Sequence, residues 1–258
     1  YQKGRYFEAI TELKRYLFLH SRGNKRKEAY HLIGNSYRRG GRDSLALRYY
    51  ELGMQVAGPT AGRIPLLMDL LSLLREYGQY ARIRLESEEL LYNSNPELRS
   101  SVYYLHGWTY LQQQRIDEAV RSFGRMVPSP DTLFLASVDS LSLLPEKSEV
   151  YATALSYLVP GSGQLYAGHA REAGFSFLLV STTAASILWD IYHGVYGLAF
   201  AKYYFLFHRY YSGGAFHARE YVQEWNRERY ERRLDALARR YGDPLERLSQ
   251  HLSDQPLD

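Results

Sequence analysis

Tyr30-His31-Leu32-Ile33-Gly34-Asn35-Ser36-Tyr37 and Tyr103-Tyr104-Leu105-His106-Gly107-Trp108-Thr109-Tyr110 share one pattern, Tyr-x-Leu-x-Gly-x-x-Tyr. Each leads into a turn: Gly41-Arg42-Asp43-Ser44-Leu45-Ala46-Leu47 after the first, Gln114-Arg115-Ile116-Asp117-Glu118-Ala119-Val120 after the second. Two further stretches, Gly4-Arg5-Tyr6-Phe7-Glu8-Ala9-Ile10 and Gly78-Gln79-Tyr80-Ala81-Arg82-Ile83, complete a series whose starts are 37, 37 and 36 residues apart. A fixed period of this length marks stacked supersecondary units. The residue types suit pairs of helices. Gly34 and Gly107 permit a second helix to approach closely, Tyr50 and Phe123 stand on that second helix, and Ala9, Ala46 and Ala119 fall where a larger side chain would hold the pair apart. Gly4, Gly41 and Gly78 supply turns that need a permissive backbone.

This arrangement of aromatic, Leu, Gly and Tyr on a first helix, and Ala and an aromatic on a second, resembles the tetratricopeptide repeat. The period is a few residues longer than the family's usual 34, the third repeat carries a plain Leu66, Leu67, Leu70, Leu71, Leu74 face with Ile83 in place of Ala, and the first lacks its leading helix, as if the chain began inside a longer array. The resemblance implies a helical-hairpin solenoid over residues 1–128 with a concave groove lined by the first helices. His31, Asn35, Arg38, Thr109 and Gln112 fall on that face, which reads either as a groove for a protein or peptide or as a solvated inner surface.

Outward from the repeats, Pro128-Ser129-Pro130 breaks the pattern, Leu133 to Leu144 is apolar-periodic, and Pro145-Glu146-Lys147-Ser148 follows. Residues 129–148 read as a linker with a capping helix. A second module, 149–226, holds Ala173 to Trp189 without a charge and then Val195 to Phe207 interrupted by Lys202. Seventeen residues lie at the short limit for a membrane span. Trp189, Tyr192, Tyr196, Tyr203, Tyr204, Tyr210 and Tyr211 suit the interfacial aromatic belt, and Gly197-x-x-x-Ala201 would allow close helix contact. Lys202 must snorkel or face protein. Either 173–207 is a helical hairpin in or on a membrane, or it is the buried core of a soluble bundle.

Ser156-x-x-x-Pro160-Gly161-x-Gly163-Gln164-x-Tyr166-x-Gly168 ahead of this hairpin resembles the signature of a family of uncharacterised bacterial membrane proteins, some of which carry tetratricopeptide repeats. Its closing pattern is matched by Tyr211, Gly213, Ala218 and the pair Trp225-Asn226. The resemblance implies a location in the cell envelope and no chemistry. Read as residues, Pro160 ends the preceding helix, Gly161, Gly163 and Gly168 permit a tight turn, and Gln164 and Tyr166 can bond backbone groups where the chain enters an apolar layer.

Composition narrows the remaining classes. The 258 residues contain no Cys, which excludes disulfides, thiolate metal sites and a Cys nucleophile. The net charge of +4 is too small to argue for nucleic acid, although residues 1–42 hold 11 Lys and Arg against 3 acids. Tyr166 stands where a dinucleotide loop needs its third Gly, and His169-Ala170 follow where a phosphate loop needs Lys-Ser/Thr. No His-x-x-x-His and no Gly-x-Ser-x-Gly occurs. The sequence therefore predicts a non-enzyme without cofactor, metal or small-molecule substrate. A basic amphipathic helix is expected over about 217–241, within a C-terminal segment 227–258 whose end, 243–258, is expected to fray because Gly242 and Pro244 stop the helix. The all-α expectation is a repeat solenoid, a hydrophobic hairpin and a basic helix. Its leading function is a membrane-associated envelope scaffold or adaptor, on an unassigned side of the membrane. The alternatives are an accessory factor in membrane-protein insertion or envelope assembly, and a soluble adaptor.

Overall fold

The computed structural model describes residues 5–20, 25–57 and 63–253. All regular structure among them is helical. The elements are α1 (Tyr6–Leu19), α2 (Arg26–Arg39), α3 (Asp43–Val56), α4 (Ile64–Glu76), α5 (Tyr80–Ser87), a 3₁₀ turn (Glu88–Tyr92), α6 (Pro96–Gln112), α7 (Ile116–Phe123) and α8 (Thr132–Asp139). They continue with α9 (Glu149–Leu158), α10 (Ser162–Ala167), α11 (Ala170–Tyr192), α12 (Tyr196–Lys202), a π-helical segment (Tyr203–Phe207), α13 (His208–Tyr241) and α14 (Pro244–Ser253). The chain divides into two compact units, Tyr1–Ser142 with Leu237–Asp258, and Leu143–Ala236.

In the first unit consecutive helices pack on one another: α1 on α2, α2 on α3, α3 on α4, α4 on α5, α5 on α6, α6 on α7. The glycines of the sequence pattern set how close two of these pairs come. A methyl group at Gly34 would sit 2.5 Å from the Tyr50 ring, and one at Gly107 would sit 2.3 Å from the Phe123 ring. Both rings are fully buried. The turns between helices are alike in detail. Gly41, Gly78 and Gln114 take left-handed φ of 68°, 64° and 58°. The next amide in each, of Arg42, Gln79 and Arg115, donates to the carbonyl of Tyr37, Leu74 and Tyr110 at 2.9 Å. These bonds satisfy carbonyls that a helix end leaves open. Gly4, the first turn of the series, lies outside the described residues.

The core of this unit is large and aliphatic, with Leu66, Leu67, Leu70, Leu71, Leu73 and Leu74 of α4 among its members. Three further members come from an unexpected place. The expected fraying after Gly242 is corrected by α14, which buries Leu245, Leu248 and Leu252 in the same cluster and packs on α6 and α4. Asp243 accepts from the amides of Leu245 at 2.8 Å and Glu246 at 3.2 Å, so Asp243-Pro244 opens a helix. Residues 254–258 lie outside the described residues. The expected 129–148 linker divides otherwise: its helix ends at Asp139 and the second unit begins at Leu143.

The second unit has a different interior. Its core cluster is Ala152, Ala167, Ala218 and Val222. Large apolar side chains of α11 and α12, among them Phe175, Leu178, Leu188, Trp189 and Phe200, are exposed. α11 turns at Gly194, where φ is +77°, and α12 packs back on α11. α11 is the one helix among the described residues long and apolar enough to cross a membrane. The basic helix expected from about 217 begins at His208, continuous with the π-helical segment before it.

Candidate functional site

The two halves of the hairpin-module signature, some fifty residues apart in sequence, meet around α10. Gly161, at φ +89°, lies so close to α11 that a Cβ there would stand 2.3 Å from the Ala173 carbonyl oxygen. Gly163 is tighter still: a Cβ would meet Ser156 Oγ at 2.1 Å, the Ala152 carbonyl at 2.2 Å and Ala218 Cβ at 2.7 Å. One glycine thus lets α9, α10 and α13 touch. Gly168, at φ +107°, ends α10. Pro160 lies just beyond α9, which ends at Leu158.

Polar groups of the signature tie this junction together. Gln164 is buried and its Nε2 donates to the Gly214 carbonyl at 2.8 Å. The Tyr166 hydroxyl accepts from the Ser148 amide at 3.2 Å. Tyr211 donates to the Tyr157 carbonyl at 2.5 Å. Asn226 clasps the backbone of Lys147, accepting from its amide at 2.9 Å and donating to its carbonyl at 3.0 Å. The Lys147 ammonium donates to the Ala167 carbonyl at 3.1 Å and lies 4.3 Å from the centre of the Trp225 ring. Burial pulls that ammonium below the ordinary lysine range. Arg219 meets Glu149 at 2.6 Å, and its hydrogen bond, with one from Gln223, holds that carboxyl below the usual carboxylate range. Gly213 stands clear, with open space where a Cβ would be, and lines a groove of about 430 Å³ between α11 and α13 together with Gln164, Ser176, Leu179, Arg209 and His217.

The sequence reading supplied the signature residues but not the partners that they bind: Ser148 and Lys147 carried no motif, nor did the Arg219–Glu149 pair beside them. It also left Lys202 as an obstacle. In the structure Lys202 Nζ lies 2.6 Å from Asp190 Oδ2 and 2.7 Å from Ser186 Oγ, with the Asp190 side chain buried. The signal was available. Ser186 and Lys202 are equidistant from Gly194, the pivot of the turn, and Asp190 is one helical turn along from Ser186.

The five residues expected on a groove in the first unit are each joined to a neighbouring helix or turn. His31 Nε2 lies 2.6 Å from Asp69 of α4. Asn35 accepts from the Tyr50 hydroxyl at 2.6 Å. Arg38 bonds Glu76 and reaches Ser72 at 3.3 Å. Thr109 is buried and accepts from Arg84 at 2.9 Å. Gln112 meets the Tyr80 hydroxyl at 3.4 Å. Next to Thr109, His106 Nε2 is 2.9 Å from Ser87 Oγ, and burial, reinforced by the Arg84 charge, lowers its pKa to about 4.

Among the described residues no three His, Asp or Glu side chains gather as metal ligands would. No family model matches the chain, nor does any curated protein or solved structure.

Proposed function

We propose that the chain is a non-catalytic scaffold or adaptor held at a bacterial membrane by the α11–α12 hairpin, with the tetratricopeptide-like helical repeats of its first unit arranged as a solenoid that grips a protein or peptide partner. One observation carries the membrane half of this reading: the second unit is small and polar inside and large and apolar outside. Ala152, Gly163, Ala167 and Ala218 line its interior, while Phe175 is 70% and Trp189 is 67% exposed. In water, burying the large side chains and exposing the small ones is the favoured order. In lipid that gain vanishes, and close contact between small residues drives helix pairing instead. The 23 residues of α11 span about 34 Å at 1.5 Å per residue, enough for a hydrocarbon core of about 30 Å. The Asp190–Lys202 pair answers the cost of a charge at that depth by neutralising it within the hairpin. Exposure of these residues also argues against the soluble reading, in which 173–207 would be core.

The experiment is extraction of the full chain from membranes. The wild-type chain should resist carbonate and require detergent. A variant with Phe175, Leu178, Leu188 and Trp189 replaced by Ser should appear in the carbonate supernatant while keeping its helical circular dichroism. Wild-type protein released by carbonate removes the anchor from this proposal.

A further inference from the structure

The first unit already shows what one of its surfaces binds. α14 lies on α4 and α6, the first helices of the third and fourth repeats, and its apolar side is the ladder Leu245, Leu248, Leu252. That spacing, i, i+3, i+7, is the way an amphipathic helix anchors in a groove. Polar contacts fix its register at three points. Arg75 of α4 meets the capping Asp243 at 2.5 Å, the Arg247 guanidinium stands 4.8 Å from the centre of the Tyr104 ring, and His251 Nδ1 is 2.9 Å from Ser101 Oγ. Ahead of the helix is a pivot: Gly242 at φ +93°, with open space where a Cβ would be. The Tyr104 hydroxyl holds the chain just before the pivot, donating to the carbonyls of Tyr241 at 2.9 Å and Gly242 at 3.1 Å.

We propose that the α4–α6 face is a helix-binding groove, closed in cis by residues 243–253, that accepts in trans an amphipathic helix with the spacing Asp-x-Leu-x-x-Leu-x-x-x-Leu. This rests on the reading of the repeats as a partner-gripping scaffold and names the chemistry of the partner. A helix of ten residues does not persist alone in water, so α14 exists because the groove shapes it. The groove is therefore the recognition element, and the sequence of α14 is a template for what it recognises. The ion pair at its start is half exposed on both sides, the kind that contributes little. The apolar hold is the three buried leucines Leu245, Leu248 and Leu252, and a short segment held at so few points opens as a unit of its own. A tethered helix competes at an effective concentration set by its tether, in the millimolar range for a short one. A partner helix must then outcompete it or act after it is released, which makes 243–253 a built-in brake on partner capture.

The test uses the full chain in non-ionic detergent and a fluorescein-labelled synthetic peptide of residues 242–253, with a scrambled peptide as control. Leu248→Asp with Leu252→Asp releases α14. The released chain should bind the peptide at least tenfold more tightly than the wild-type chain, and the scrambled peptide should bind neither. A folded variant that binds the peptide no better than wild type overturns the proposal. Should the variant lose its fold, hydrogen exchange in the wild-type chain decides. Amides of 245–253 exchanging at least tenfold faster than those of α6 support a releasable brake, whereas exchange in step with α6 makes α14 a permanent part of the core and overturns it. The peptide titration needs neither a membrane nor a cellular partner. Its failure is therefore distinct from release by carbonate, and from a groove that opens yet retains no envelope protein.

Discussion

In α4 of the first unit six leucines are at most 2% exposed, whereas in α11 of the second unit Leu178 and Leu188 are 61% and 66% exposed. Both helices are rich in apolar residues, so hydrophobicity does not decide which of them is buried. What decides is the neighbour. The α4 face meets side chains of matching bulk, such as Ile83, Leu98 and Leu105, and a dry core closes around it. Gly161 meets Ala173 of α11 and Gly163 meets Ala218 of α13, small residues that bring backbones together and leave the long side chains no interior to fill. The same alphabet thus builds one unit with its bulk inside and one with its bulk outside.

The largest test of that contrast falls on the charges. Lys202→Met leaves the buried Asp190 carboxylate without its partner and should destabilise the second unit by about 4 kcal/mol, with Asp190→Leu on top of it restoring most of the loss. Thermal unfolding in detergent measures both. Breaking the more exposed Arg115–Glu118 pair of the first unit should leave the melting temperature close to that of the wild-type chain. Equal effects would mean that the hairpin pair is solvated and that the second unit is no different in kind.

The glycines give the next effect. Gly163→Ala pushes a methyl group into the Ala152 carbonyl and Ser156 Oγ, backbone and side chain that cannot withdraw, and should cost about 3 kcal/mol. Gly34→Ala and Gly107→Ala press on rings that can tilt within their core, and should cost about 2 kcal/mol each. A smaller loss at Gly163 than at Gly107 would put the tighter packing in the first unit and reverse the contrast.

Acid should separate the units as well. His106 is held neutral, with its pKa lowered to about 4 by burial and by Arg84, against an ordinary value of 6.5. Its contribution to the first unit is fully present above pH 6.5 and is lost as the pH falls from 6.5 towards 4, because the unfolded chain binds the proton first. The loss by pH 4.5 is on the order of 2 kcal/mol. Melting temperatures taken between pH 7 and 4.5 should fall for the first unit, and His106→Gln should flatten that slope. An unchanged slope in the variant would assign acid sensitivity to other groups.

How much of this was legible depended on whether the signal was local. Gly34 with Tyr50, and Gly107 with Phe123, could be read because each pair lies within one repeat. The signature residues around α10 could be read as a motif, yet their partners Lys147 and Ser148 could not, since a backbone amide or carbonyl leaves no trace in sequence. The Asp190–Lys202 pair is legible only once Gly194 is read as the pivot that folds the two arms against each other. The expected fraying of 243–258 rests on Gly242 and Pro244 as a helix stop, whereas behind an Asp cap proline is equally the first residue of a new helix. The destination of that helix, 150 residues back from His251 at Ser101, is a tertiary fact.

The smallest expected effect bears on whether the repeats are equivalent. Gly41, Gly78 and Gln114 hold the same backbone conformation at matching places, but Gln114 alone has a side chain there. A left-handed residue with a Cβ costs roughly 1 kcal/mol relative to glycine in the folded chain. Glycine in turn gives the unfolded chain more freedom, which takes back part of that gain. Gln114→Gly should therefore stabilise the first unit by about 0.5 kcal/mol, and Gly41→Gln should destabilise it by about 1 kcal/mol, since nothing stands within 4 Å of a Cβ at Gly41 to offset the strain. Denaturant midpoints of the two variants, read beside the wild-type chain, measure both shifts. Opposite signs would mean that the three turns are one element written three times. A loss of stability in Gln114→Gly would mean that the fourth turn draws on its side chain and has departed from the others in more than sequence.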